Sequence, residues 1–202
     1  MHNRKILIIG EVYVDQHLDI IENGYSTSRL GGIFHAARSC DALNIEYALA
    51  YYAPDYLVKD VEKFGIDVLR ASSIFRLGKV DKAPNVMLIG QSDESGNQLY
   101  ENILGRQAEY VSMLPFMQVL DDFDPTDIII FPGRYGNAGI LSNLSNYEGK
   151  IHIDMNYDCD DILDLDTIKI QTVFLSTSST SFEEFFKEIS YDNLIKYFDK
   201  KN

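Results

Sequence analysis

The chain has 202 residues, 46% hydrophobic and 24% charged, the balance of an ordinary globular domain with room for a sizeable core. Its formal net charge of −13 makes a surface that repels phosphate backbones, so nucleic acid is excluded as an expected partner. No apolar run reaches the length of a membrane span, and Met1-His2-Asn3-Arg4 leads straight into a strand pattern rather than a signal peptide. Cys40 and Cys159 both read as free thiols, so a cytoplasmic protein is expected.

Lys5-Ile6-Leu7-Ile8-Ile9-Gly10 is a continuous apolar run ending in Gly, the pattern of a buried parallel strand. Asp15 follows its carboxyl end, where open α/β sheets place ligands. Gln16 to Ser28 mixes polar and apolar residues around Asn23-Gly24, a turn signal, and reads as a short hairpin. Gly31-Gly32 then precede Ile33, Ala36, Ala37, Cys40 and Leu43, which recur at helical spacing. Paired glycines let the backbone turn tightly and let another group approach closely. A helix start also offers N–H donors and a positive dipole end to a hydroxyl-rich or anionic ligand. An ordinary loop-to-helix junction has the same pattern, and the strand and Asp15 in front of it favour a site. His35, in the first turn, either hydrogen-bonds a substrate hydroxyl or packs as a satisfied histidine.

Glu46 to Tyr52 is a second strand pattern, stopped by Ala53-Pro54-Asp55. Asp55 is placed as the N-cap of a helix carrying Leu57, Val61 and Phe64, with Gly65 closing it. Strand-like runs follow at Ile74 to Leu77, Asn85 to Gly90 and Gln98 to Glu101, with a turn expected at Ser95-Gly96. They read as a small antiparallel sheet outside the main one. Ala108 to Asp121 reads as helical, with Pro115 starting or kinking it. Thr126 to Phe131, Lys150 to Asp154 and Gln171 to Leu175 are further strands, with a short helix over Ala138 to Tyr147. Ser181 to Glu184 is a capping box, and a last helix carries Leu194, Ile195 and Phe198. His152 and Asp154 share one side of a strand, but two ligands without a third leave no metal site expected, and His152 reads as structural. Ser176 to Ser181 is a candidate phosphate nest.

Asp15 after the first strand, Gly31-Gly32, the helix through Ala42-Leu43-Asn44, and Ala53-Pro54-Asp55-Tyr56-Leu57 stand in the order seen at the start of the PfkB, or ribokinase-like, carbohydrate kinases. The chain resembles that family. The resemblance implies a Rossmann-like, ribokinase-type α/β fold: a mostly parallel sheet with flanking helices and a small β-sheet lid. The lid strands would fall within 12–30 and 70–103 of a single domain over 1–202. It implies transfer of the ATP γ-phosphoryl group to a sugar or nucleoside hydroxyl, with ATP and Mg2+ as cofactors. Asp15, Gly31, Gly32 and His35 would bind the substrate, His35 standing where the family has Asn. Asp154, Asn156 and Glu184 would support the site.

The family's Gly-Ala-Gly-Asp signature, which supplies an anion hole and the base, has no counterpart here. Gly133-Arg134-Tyr135-Gly136 has no following Asp, and no Gly occurs after Gly149. No catalytic residue is therefore assigned, and turnover by this chain alone is not expected. The chain is read as the substrate-side portion of such a kinase, C-terminally incomplete, whose own binding of ATP and Mg2+ is doubtful. Its partners would be a small sugar or nucleoside and either a second copy met through the lid or a missing C-terminal half. The alternative is a non-catalytic sugar-binding or regulatory protein of the same fold. A Rossmann-like nucleotide binder is disfavoured because the first strand lacks G-x-G-x-x-G.

Overall fold

The apolar run near the N-terminus forms the middle of the fold. The computed structural model describes residues 4–17, 27–89, 94–95, 108–131, 140, 143–155 and 169–175. Their strands are β1 (Lys5–Glu11), β2 (Val14–His17), β3 (Thr27–Leu30), β4 (Glu46–Ala53), β5 (Ser73–Asp81), β6 (Val86–Ile89), β7 (Glu94–Ser95), β8 (Glu109–Ser112), β9 (Asp127–Ile130), β10 (Lys150–Met155) and β11 (Ile170–Leu175). Three α-helices are described: α1 (Phe34–Ala42), α2 (Val58–Lys63) and α3 (Phe116–Phe123).

Seven strands form one sheet of order β11-β10-β9-β1-β4-β5-β8, parallel throughout except for β8. The chain moves outward from β1 through β4 and β5, then returns to the other side of β1 for β9, β10 and β11. The strand order therefore reverses at β1, and the crevice beyond its carboxyl end is the topological switch point. The pleat sends successive side chains to opposite faces. Ile6 and Ile8 pack with Phe34 and Ala37 of α1 and Val61 of α2. Leu7 and Ile9 pack with Phe116, Val119 and Phe123 of α3. Leu7, Ile8 and Ile9 have no exposed surface, and each such burial contributes about 1.5–3 kcal/mol.

A second sheet, of order β3-β2-β6-β7, stands apart from the first. The small sheet near 12–30 and 70–103 is expected to be antiparallel, whereas β2 pairs in parallel with β6, and two further expectations differ. The segment Ile74 to Leu77 belongs to β5, which pairs in parallel with β4 of the main sheet. The helix between β4 and β5 is the crossover that parallel pairing requires. The β6–β7 pair has Ile89 opposite Glu94 and Leu88 opposite Ser95, so Ser95 lies in a strand rather than at the turn.

Other boundaries also move. Residues 109–112 are strand β8, antiparallel to β5, and α3 begins only after Pro115, whose φ of −60° and ψ of 129° set the turn into it. Pro54, not Asp55, caps the short 3₁₀ turn Asp55–Leu57. The Asp55 carboxylate instead pairs with Arg76 at 2.5 Å and Lys79 at 2.8 Å, both on β5. Gly65 lies inside the π-helical turn Phe64–Val68 that extends α2, where a Cβ would press to 2.5 Å from Ile74 Cδ1. Cys40 is buried and free, as its place on the apolar face of α1 implied. The strand pattern at Gln98 to Glu101, the capping box, the last helix and Cys159 lie outside the described residues. Of the helix expected over Ala138 to Tyr147, Ile140 and Asn143 are helical and 144–146 form a turn, while 138, 139, 141 and 142 lie outside the described residues.

Candidate functional site

Val12 and Tyr13 carry the chain from the end of β1 into β2, so the second sheet begins at the mouth of the switch-point crevice. Asp15, just past the end of β1, is the second residue of β2 and is 3% exposed. The β2–β3 register sets Arg29 directly opposite it, and cross-strand neighbours share a face. Arg29 Nε lies 3.5 Å from Asp15 Oδ2.

The two glycines follow β3, and each answers a specific contact. A Cβ on Gly31 would overlap the Asp15 carboxylate. Gly32 has φ +60°, and a Cβ there would overlap the backbone oxygen of Glu11. Their amide neighbours do not face a ligand, contrary to the expectation for a helix start. Gly31 N–H donates to Tyr13 O at 2.8 Å, Ile33 N–H to Glu11 O at 3.1 Å and Phe34 N–H to Gly31 O at 3.3 Å. The first two bonds fasten the start of α1 to the β1–β2 junction, and the third closes the glycine turn. Recognition at this site thus falls to side chains.

His35 completes the cluster from the first turn of α1, its Nε2 3.0 Å from Asp15 Oδ2. The ring N–H is not aimed along that line, and Oδ2 is a buried oxygen that accepts no aligned hydrogen bond. The Arg29 and His35 side chains are each 50% exposed and cover an Asp15 side chain that is 4% exposed. One turn further along α1, Arg38 Nη2 donates to Leu30 O at 2.7 Å, and its guanidinium lies 5.6 Å from the Phe64 ring centre. Burial lowers the pKa of Arg38, the nearby Arg29 lowers it further, and Asp15 opposes them.

A second buried carboxylate was not singled out in the sequence. Glu11, at the end of β1, is 2% exposed. Its Oε2 accepts from Asn85 Nδ2 at 3.1 Å and its Oε1 from Tyr110 OH at 3.1 Å. Asn85 Nδ2 also donates to Val12 O at 3.0 Å, and Asn85 O accepts from Val14 N–H at 2.8 Å. This network ties the entry of β6 and the edge strand β8 to the base of the site. Its only sequence signal was an acidic residue closing an otherwise apolar strand.

Asp15, Gly31, Gly32 and His35 are thus brought together. Asp154 stands near the carboxyl end of β10, two strands from β1, half-buried, with burial raising its pKa. His152 Nε2 instead lies 3.4 Å from Asp127 Oδ1, at the opposite, amino-terminal end of β9. Asn156, Glu184 and the Ser176 to Ser181 run lie outside the described residues. Among the described residues no group of three or more His, Cys, Asp and Glu side chains is placed to hold a metal. No helix among them is long and apolar enough to cross a membrane. A pocket of about 410 Å³ lined by Arg4, Asp41, Tyr47 and Arg70 opens at the other end of the strands, away from Asp15.

No family model and no curated protein matches this sequence. Solved structures do match its fold. Ribokinase from Giardia lamblia superposes with a TM-score of 0.62 at 14% identity, over 98% of this chain and 65% of that one. A PfkB family carbohydrate kinase from Listeria grayi gives 0.60 at 12% identity, over 98% and 68%. An E. coli protein assigned as a ribokinase II, solved with ATP and Mg2+, gives 0.58 at 12% identity, over 98% and 70%. The chain has the ribokinase fold and spans about two thirds of the length of these kinases.

Proposed function

We propose that this chain, built on the ribokinase fold, is the sugar-side portion of an ATP-dependent carbohydrate kinase. One observation carries the reading. At the switch point, a buried carboxylate, Asp15, sits against a glycine that leaves room for it, with a histidine at 3.0 Å. A carboxylate accepts hydrogen bonds at both oxygens, so it suits a pair of neighbouring sugar or nucleoside hydroxyls. His35 offers a ring nitrogen beside them. The second sheet acts as the lid, since β2 carries Asp15 and β3 carries Arg29.

ATP and Mg2+ enter this reading through the fold of the kinases it resembles. The described residues supply no metal cluster of their own, and no base is assigned among them. Asp154, Asn156 and Glu184 keep supporting roles in this reading. The reading places the protein among soluble proteins of the cytoplasm acting on a small sugar or nucleoside, with a second copy able to meet it through the lid.

The test is the thermal stability of the purified chain against a panel of sugars and nucleosides. At least one should raise the melting temperature, and Asp15→Ala should abolish that rise. A panel that leaves the melting temperature unmoved, or a rise that survives Asp15→Ala, refutes the proposal. Product formation with magnesium-ATP is not expected of this chain alone, and enzyme-like rates sensitive to Asp15→Ala would show that a residue within it acts as the base.

A further inference from the structure

Three described passages of chain lead between the second sheet and the body of the protein: 12–13 from β1 into β2, 31–33 from β3 into α1, and 82–85 from β5 into β6. Glu11, the last residue of β1, holds all three. Its backbone runs directly into the first, where Val12 N–H donates to Tyr52 O at 3.0 Å. Its carbonyl accepts Ile33 N–H at 3.1 Å in the second, and Gly32 has no Cβ to block that approach. Its carboxylate accepts from Asn85 Nδ2 at 3.1 Å in the third. The other carboxylate oxygen accepts from Tyr110 OH on β8, whose ring packs edge-on against Tyr52 of β4 with 6.4 Å between centres. We infer that Glu11 is a positioning residue for the Asp15 site: it sets where the second sheet stands over the switch point, and through that sheet the place of Asp15. The inference rests on the reading of Asp15 as a hydroxyl-binding group.

The physical reason is a short chain of buried bonds. Asn85 Nδ2 donates to Val12 O at 3.0 Å, and Asn85 O accepts Val14 N–H at 2.8 Å, so Asn85 grips β2 one residue before Asp15. The β2–β6 register continues from that grip, with Val14 opposite Val86 and Asp15 opposite Met87. Glu11 fixes Asn85 in turn. A carboxylate presents acceptors at both oxygens, so it holds the entry of β6 and the edge strand of the main sheet at once. Glu11 is 2% exposed and Asn85 has no exposed surface, so water does not replace a bond lost between them. The loss is relieved by movement of the second sheet instead. A binding group works only within about 0.5 Å of its productive place, so that movement reaches the ligand through Asp15.

The test combines amide hydrogen exchange and titration calorimetry on the full chain, under conditions where each variant is folded. In Glu11→Ala the Val14 amide should exchange at least about tenfold faster relative to the amides of Leu7, Ile8 and Ile9 in β1, the effect of one lost buried bond to a carboxylate. The tightest binder among glucose, fructose, ribose and adenosine should lose at least about tenfold in affinity, although Asp15, Arg29 and His35 are intact. Glu11→Gln, which keeps an acceptor for Asn85, should recover part of both. Tyr110→Phe removes one donor and leaves the ring on Tyr52. It should show the same two changes to a smaller degree, so it decides the matter if Glu11→Ala does not fold. Exchange that rises equally in β1 and β2, or affinity that stays within about twofold of the wild type, makes Glu11 a general stabiliser. Either result overturns the inference and leaves the hydroxyl reading of Asp15 standing. If none of the four ligands binds the wild type, the proposed function fails and exchange alone decides. A rise selective for Val14 then supports Glu11 as the anchor of the second sheet, and a uniform or absent rise overturns it.

Discussion

His35 Nε2 lies 3.0 Å from Asp15 Oδ2, so the first turn of α1 reaches back onto a strand of the other sheet. The contact joins α1 to the second sheet near the point where the strand order of the larger one reverses. His35 is half-exposed, and a polar contact made by a half-exposed side chain contributes little to stability. His35→Ala should therefore change unfolding free energy by no more than about 1 kcal/mol, while weakening sugar binding about tenfold. Urea unfolding and calorimetry on the same variant check both. A large loss of stability with unchanged binding would assign His35 to packing.

The glycine pair makes a sharper prediction. Gly31→Ala and Gly32→Ala should each cost about 1–3 kcal/mol, because an added Cβ overlaps Asp15 in one case and the Glu11 backbone, at positive φ, in the other. The partners differ in kind. Asp15→Ala should restore most of the stability of Gly31→Ala and none of that of Gly32→Ala, since a side chain can be removed and a carbonyl cannot. A double-mutant cycle on urea midpoints reads the difference.

Asn85 makes two hydrogen bonds at once, to Glu11 and to Val12 O, in a place with no exposed surface. Asn85→Ala should destabilise the chain by about 2–3 kcal/mol, and Tyr110→Phe by about 1 kcal/mol. Asn85 also has φ +47°, a conformation that Asn tolerates and Ala does not, so the two losses add in the same direction. If Asn85→Ala melts with the wild type, the network between the sheets is ornamental.

Asp154 gives a pH dependence. Burial holds its folded pKa above the unfolded value of about 3.9, so the folded chain retains the proton more tightly. The stability this contributes is present below about pH 4 and is lost as the pH rises through the folded value. Asp154→Asn should melt above the wild type at pH 7 and together with it at pH 3.5. Differential scanning calorimetry at the two pH values is the check, and a variant less stable at pH 7 would show that the ionised carboxylate has a partner.

Cys40 is buried and its pKa raised by desolvation, so little of the reactive thiolate forms near neutral pH. In a Cys159→Ser background, iodoacetamide at pH 8 should modify the folded chain at least about tenfold more slowly than the urea-unfolded chain. Equal rates would place Cys40 at the surface.

What the sequence determined by itself was local. Four consecutive apolar residues, Ile6 to Ile9, can only be accommodated between covered faces, so β1 was legible as a buried parallel strand. A glycine pair before a helical repeat was legible as a close approach, and Asp15 as its partner. Tertiary structure decided the rest, because register and sheet membership depend on residues far apart. The run Ile74 to Leu77 reads as part of a separate small sheet, and only the crossover through α2 commits it to β4 of the main one. Arg29 became a neighbour of Asp15 through a hairpin register that a one-residue slip would have undone. Glu11 found Asn85 and Tyr110 across separations of 74 and 99 residues, which no periodicity encodes. At the helix start, Gly31 and Ile33 give their amides to Tyr13 O and Glu11 O, and Phe34 and His35 give theirs to Gly31 O and Gly32 O, since buried backbone groups must be paired.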